Sequence, residues 1–264
     1  MNGAFRKILS RLGRSLALMA GIPKSLVFNL RYFGVANGLK FPAFIGHSVR
    51  LAGLRGEIAL EAPLRTGMLQ IGITGVAPFA YDKVRTVWHN QGTVVLRGKA
   101  TIGRGSKISV LPGAVLTLGR DFVINARSDL FCGREITFGS DCLLSWDVLI
   151  MDQDFHPIYD ASGKASNPPA AIHFGDRVWI GCRTLVLKGV SIGGDTVIAA
   201  ASTVARSISG DHQIIAGAPA RVVKPGISWG DAQKNETLDL HSDAGLQRSP
   251  IPAGIDGLGN GSGL

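Results

Sequence analysis

Cysteine is scarce in this chain. Cys132, Cys142 and Cys182 are the three among 264 residues, an odd number with no metal-ligand spacing between them. That argues against a disulfide framework or a cysteine-rich zinc module, and a reducing, cytoplasmic setting is expected. Long apolar runs are missing too, so no segment reaches the ~20 residues that a transmembrane helix needs. Leu16-Ala17-Leu18-Met19-Ala20 is short for the centre of a secretory signal, and Lys24 and Arg31 follow it closely. Acidic residues are absent from the first 56 positions, which carry nine Lys or Arg. The rest of the chain holds nineteen residues of each sign, so the whole formal charge of +9 is N-terminal. Cations gathered at one end without a recognition motif do not make a nucleic-acid-binding protein, and no such partner is expected.

What the chain has instead is a six-residue period. Phe174, Ile180, Val186, Ile192, Ile198 and Val204 stand six apart, and five of them are followed at once by Gly or Ala: Gly175, Gly181, Gly193, Ala199 and Ala205. The fifth place of each hexad is modest in size, as at Val178, Thr184, Val190, Thr196 and Ser202. Six matches neither the 3.6 of a helix nor the alternation of an ordinary strand. It fits short strands turning at regular corners, three to a coil, with the aliphatic residue inside and the small residue letting the backbone bend. Coils stacked at the strand spacing of ~4.8 Å make a parallel β-helix. The same phase runs through Leu96, Ile102 and Ile108, through Leu118, Ile124, Leu130 and Ile136, and through Phe138, Leu144 and Ile150. The slips from Ile108 to Leu118 and from Ile136 to Phe138 are read as irregular corners.

The period divides the chain. Residues 94–224 form the solenoid, interrupted at 156–173, where the hexad places would fall on His156, Ser162 and Pro168 and where Pro157, Gly163 and Pro169 cluster. That segment is expected to be a loop ejected from the coil, the kind of place where chemistry sits on a rigid scaffold. Residues 35–93 read as an irregular, β-rich lead-in. Residues 225–264, rich in Gly, Ser, Asp and Pro, read as a disordered tail. In residues 1–34, Phe5, Ile8, Leu9, Leu12, Leu16 and Met19 recur at helical spacing between Arg6, Lys7, Arg11 and Arg14, as in a basic amphipathic helix. Such a helix either caps the solenoid end or rests on an anionic membrane surface, and capping is the preferred reading.

His156 lies in Asp152-Gln153-Asp154-Phe155-His156-Pro157, where the chain leaves the coil. An imidazole titrating near ~6.5 can accept a proton at neutral pH. The hexads, the Asp-Phe-His-Pro opening of the loop, the re-entry Gly175-Asp176-Arg177-Val178-Trp179-Ile180-Gly181 and the closing Ala216-Gly217-Ala218-Pro219-Ala220-Arg221-Val222-Val223-Lys224 resemble the hexapeptide-repeat acyltransferases. Within them the chain is most similar to sugar O-acetyltransferases of the maltose and galactoside type and to relatives in capsule and lipopolysaccharide gene clusters. The resemblance implies a left-handed parallel β-helix, an all-β fold, assembled as a homotrimer with sites between subunits. It also implies acetyl-CoA as donor, no metal, a sugar or surface-polysaccharide precursor as acceptor, and a place in the cytoplasm or at the inner face of the membrane.

By the same resemblance His156 is the general base that lets a sugar hydroxyl attack the thioester directly. Asn125 and Asp154 fall at the acceptor site. Trp179, Cys182, Ala200, Ala205 and Arg206 fall along the CoA groove, and Arg221 and Lys224 at the CoA phosphates. Two family hydroxyls are replaced, a serine by Cys182 and a threonine by Ala205. The N-terminal segment is similar to that of the polysaccharide-cluster enzymes rather than the maltose and galactoside ones, which leaves the acceptor open. Acylation of an amine on a nucleotide-linked amino sugar, or a non-catalytic scaffold, are the alternatives. A zinc enzyme of the γ-carbonic-anhydrase type would need a third histidine soon after His173, where Val178 stands.

Overall fold

A computed structural model describes residues 3–74 and 84–230, with side chains from Met19 onward. Helix α1 (Gly3–Gly38) leads into seven stacked coils. The first holds β1 (Ala43–Ile45), β2 (Arg50–Leu54) and β3 (Glu57–Leu60), and the second β4 (Leu69–Ile71), β5 (Val87–Asn90) and β6 (Thr93–Leu96). The third and fourth follow with β7 (Ala100–Ile102), β8 (Lys107–Val110) and β9 (Val115–Leu118), then β10 (Phe122–Ala126), β11 (Asp129–Cys132) and β12 (Glu135–Phe138). The fifth and sixth hold β13 (Leu143–Trp146), β14 (Leu149–Met151) and β15 (Ile172–Phe174), then β16 (Trp179–Ile180), β17 (Leu185–Val186) and β18 (Ser191–Ile192). β19 (Val197–Ile198), β20 (Thr203–Val204) and a bridge from Ile208 to Ile192 make the last. Every third strand pairs in parallel, giving three sheets: a first from β1 to β19, a second from β2 to β20, and a third from β3 to β18. The hairpin of β21 (Gln213–Gly217) and β22 (Ala220–Pro225) closes the first sheet with the single antiparallel pairing among the described strands. The chain is thus the expected parallel β-helix.

The aliphatic column is the core. Phe174, Ile180, Val186, Ile192, Ile198 and Val204 are at most 3% exposed, and each earlier residue of the same phase is at most 1% exposed. Phe138 and Phe174 stack inside the prism with ring centroids 4.7 Å apart. The fifth-place residues Val178, Thr184, Val190, Thr196 and Ser202 are buried at the corners.

Three details differ from the sequence reading. The slip from Ile136 to Phe138 is no corner: both residues point inward from the one strand β12, because residues two apart share a face. β8 and β9 likewise carry two inward residues each, so the coil from Ile102 to its neighbour Ile124 takes 22 residues, against 18 from Ile180 to Ile198. The glycine after the inward aliphatic serves close stacking rather than a bend. A Cβ on Gly181 would meet Ala200 N at 2.6 Å, and this glycine has no positive φ. Residues 35–93 are not an irregular lead-in either, for β1 to β5 already stand in the same sheets as the later coils. Their phase is hidden because Ile45 sits beside Ile71, and Ile71 beside Ile102, separations of 26 and 31 residues that are not multiples of six.

Corners bend through left-handed residues. Asp121, Asp141, Arg177 and Asp195 precede strands of the first sheet, and Arg127, Asp147, Arg183 and Ala201 follow them, all with φ between 46° and 58°. Aspartate tolerates this region better than most side chains. The corners also pair from coil to coil: Arg127 forks onto Asp147 at 2.8 and 2.6 Å, and Arg177 Nε reaches Asp195 at 2.6 Å.

Helix α1 seals the open edge of β1. The Asn29 side chain accepts from Ala43 N at 2.9 Å and donates to Ala43 O at 2.8 Å, as a neighbouring strand would. Ser25 Oγ accepts from Ile45 N at 2.8 Å, and Lys24 Nζ donates to His47 O and Val49 O. Phe28 and Tyr32 pack on Trp88, whose indole N–H donates to the Tyr32 hydroxyl at 3.0 Å. By internal packing the chain divides into Met1–Trp229 and Gly230–Leu264. The tail expected at 225–264 lies outside the described residues from 231 onward.

Candidate active site

Strand β14 ends at Met151, and Asp152 fixes the point where the chain leaves the coil. Its fully buried carboxylate accepts the backbone N–H groups of Gly133, Arg134 and Glu135 at 2.6, 2.7 and 2.7 Å, tying the exit to the coil beneath. Three such bonds fix the carboxyl group, and with it the exit of the chain, on the coil beneath. Two residues on, His156 N donates to Asp154 O at 2.8 Å around Phe155, whose φ is 62°. This is a γ-turn with a bulky residue in the left-handed region, a strained arrangement that needs support from its surroundings. The Phe155 ring meets Phe131 edge-on at 5.7 Å.

The ejected segment is a braced loop. Asn167 links its two arms, donating to Asp154 Oδ2 at 2.7 Å and His156 O at 3.0 Å while accepting from Ile158 N at 2.6 Å. Lys188, one coil up, donates to Asp154 Oδ2 at 2.5 Å and to Asn167 O at 2.9 Å. The bonds from Lys188 and Asn167 hold the Asp154 carboxyl below the usual carboxylate range. Asp160 at the loop tip is lowered likewise by bonds from Ser162 and Lys164. Ala170 N returns to Asp152 O at 3.0 Å, closing the loop at its base.

Within the loop lies a cleft of about 230 Å³ lined by Gln153, Asp154, Phe155, His156, Asn167 and several prolines. His156 is exposed at it, and its ring has no hydrogen-bond partner among the described residues. Gln153 Nε2 is buried and also has none.

The other expected residues fall elsewhere on the coils. Asn125 faces outward from β10 on the first sheet, between the pairs Ile124 with Leu144 and Ala126 with Trp146. Trp179, 38% exposed on the same sheet, donates its indole N–H to Ser145 Oγ at 3.1 Å and lies 5.9 Å from the Trp229 ring. Cys182 and Ala200 follow at the corner beyond that sheet, where Ala201 N donates to Cys182 O. Ala205 and Arg206 are exposed at the next corner of the top coil, after β20 and on the side from which Lys188 reaches the loop. Arg221 and Lys224 are exposed on β22. Asn125 does not line the cleft of His156, since one belongs to a sheet face and the other to the corner between the second and third sheets.

Asp152, Gln153, Asn167, Lys188 and Trp229 escaped the sequence reading. Asp152 had a signal, an acid at the end of an inward-patterned strand; the others are joined to the site only by the fold. Burial pushes the Cys132 thiol up, and raises that of Cys142 to about 12, so both are inert in the core. Among the described residues no group of three His, Cys, Asp or Glu is assembled as a metal site.

No protein-family model matches the chain. Among known proteins it is 35% identical over 196 residues to a probable acetyltransferase of Mycobacterium tuberculosis, an alignment covering 74% of this chain and 62% of that protein. It is 32% identical over 132 residues to the polysialic acid O-acetyltransferase of Escherichia coli O1:K1, covering 47% and 43%. The chain therefore spans about half the length of these relatives. Among solved structures it is similar to the polySia-specific acetyltransferase NeuO, with a TM-score of 0.45 and 23% identity over 74% of this chain and 81% of that one. By its hexad repeat and these sequence relatives, the chain is similar to hexapeptide-repeat acyltransferases.

Proposed function

We propose that the chain is an acetyl-CoA-dependent O-acetyltransferase whose acceptor is a hydroxyl of a sugar or surface-polysaccharide precursor. The observation that carries this is His156: an exposed imidazole without a partner, held at a cleft by a strained turn that Asp152, Asn167 and Lys188 brace from three sides. A sugar hydroxyl is a weak nucleophile until a positioned base takes its proton as the new bond forms. His156 removes that proton while the oxygen attacks the thioester carbonyl carbon. The resulting oxyanion needs a hydrogen-bond donor in the groove. Collapse breaks the carbon–sulfur bond, and the proton held by His156 passes to the departing thiolate. The exposed cations Arg221 and Lys224 suit the phosphates of CoA, and Trp179 with Trp229 offers an aromatic wall for its uncharged arm.

Three copies of the chain complete the site in this reading. His156 and Asn125 lie on different sides of the prism, so a homotrimer that sets the loop of one copy against the first sheet of another supplies both. The donor places the reaction in the cytoplasm, and the polysialic acid specificity named for relatives supports a saccharide acceptor. Purified protein given acetyl-CoA and a panel of sugars and amino sugars, with CoA release followed by a thiol reagent, tests the reading. Release that depends on a hydroxyl acceptor supports it. No acetyl-CoA binding in calorimetry contradicts it.

A further inference from the structure

Helix α1 closes the coil with one face only. Gly21, Ser25, Phe28 and Asn29 are buried against β1 and Trp88. Met19, Ile22, Val27 and Leu30 are 56%, 50%, 57% and 36% exposed. At 100° per residue these four fall within an arc of about 140°, opposite the buried face, in a stripe about 16 Å long. The cap thus leaves a helix face that is apolar where a solvated face would be polar. In the sequence the same spacing continues toward the N-terminus through Phe5, Ile8, Leu12 and Leu16, and α1 begins at Gly3.

Charge identifies what this face meets. Residues 1–56 hold nine cations and no acid. Within that stretch Arg31, Lys40, Arg50 and Arg55 are exposed, and Lys24 is the cation drawn inward to seal β1. A second copy on this face would bring two wholly cationic segments together, whereas anionic headgroups would neutralise them. No helix among the described residues is long and apolar enough to cross a membrane, so contact would be in the plane of the surface. We propose that the outward face of α1 docks the protein on an anionic lipid bilayer, with the helix lying in the interface and its inner face still capping the coil. The alternatives of cap and membrane anchor then describe two sides of one helix. The proposal does not rest on the transfer reaction.

The test is co-sedimentation of the full chain with phosphatidylcholine vesicles, with and without phosphatidylglycerol, at low and high salt. The wild type should pellet with the anionic vesicles, less so as salt rises, and scarcely with the neutral ones. Ile22→Glu with Val27→Glu, both exposed in the fold, should weaken binding by at least ~10-fold. Met19→Ser with Leu30→Ser is a milder pair that should act in the same direction, and circular dichroism should show both pairs folded. No pelleting of the wild type with anionic vesicles at low salt overturns the proposal, as does binding that neither pair changes. A shift in the sedimentation velocity of the lipid-free variants, with vesicle binding intact, would assign the face to a second copy instead.

Discussion

Lys188 and Asp154 set the pH behaviour of the loop. A carboxylate held below its usual range favours the folded arrangement above the ordinary pKa of ~3.9, and that contribution is lost as pH falls through the lower, folded value. Protease sensitivity of residues 152–171 should therefore stay low from pH 8 to about 5 and rise only below ~4. Lys188→Met should show raised sensitivity already at neutral pH. At the cleft, His156→Ala should lower acetyl transfer by ~100-fold or more while leaving acetyl-CoA affinity unchanged. Steady-state kinetics beside calorimetry separates rate from affinity.

Among the elements, the cap on β1 is the most exacting. Asn29→Ala strips both the N–H and the C=O of Ala43 of their partners. At roughly 1–3 kcal/mol for each buried group left unpaired, the melting temperature should fall by roughly 5–15 °C. A smaller fall in thermal melts would mean that water replaces the amide. Nothing in the sequence singles out Asn29, because its partner is a backbone edge fourteen residues away. The coils were legible wherever eighteen residues make one turn, since inward aliphatics then keep a period of six. Where a coil takes 22, 26 or 31 residues the same inward alternation persists within strands such as β8 or β1, but the phase between strands is lost. The corner residues Arg127, Asp147, Arg177 and Asp195 were illegible because their pairs form between coils, 20 and 18 residues apart, and nothing in the apolar pattern marks which polar residues meet. Of the site, the position of His156 could be read because the loop breaks the apolar phase. Its braces could not, since Asp152, Asn167 and Lys188 meet only after the coils stack.

At the scale of the molecule, the chemistry-bearing residues of the described coils stand on separate sides of the β-helix. If neighbouring copies complete one another, His156→Ala and Asn125→Ala proteins should each be weak, and co-expression of the two should restore part of the activity through mixed trimers. Absence of restoration, with mixed trimers demonstrated by mass, would put both residues in one subunit's site or remove Asn125 from it. In this reading His156 drives acetyl transfer to a saccharide hydroxyl. Its most direct test is mass spectrometry of the acceptor after incubation with isotopically labelled acetyl-CoA, with His156→Ala in parallel. A labelled acetyl group is expected on the saccharide, removable by mild alkali as an ester, with its near loss in the variant. A label that resists alkali as an amide, or that forms equally well without the imidazole, would contradict it.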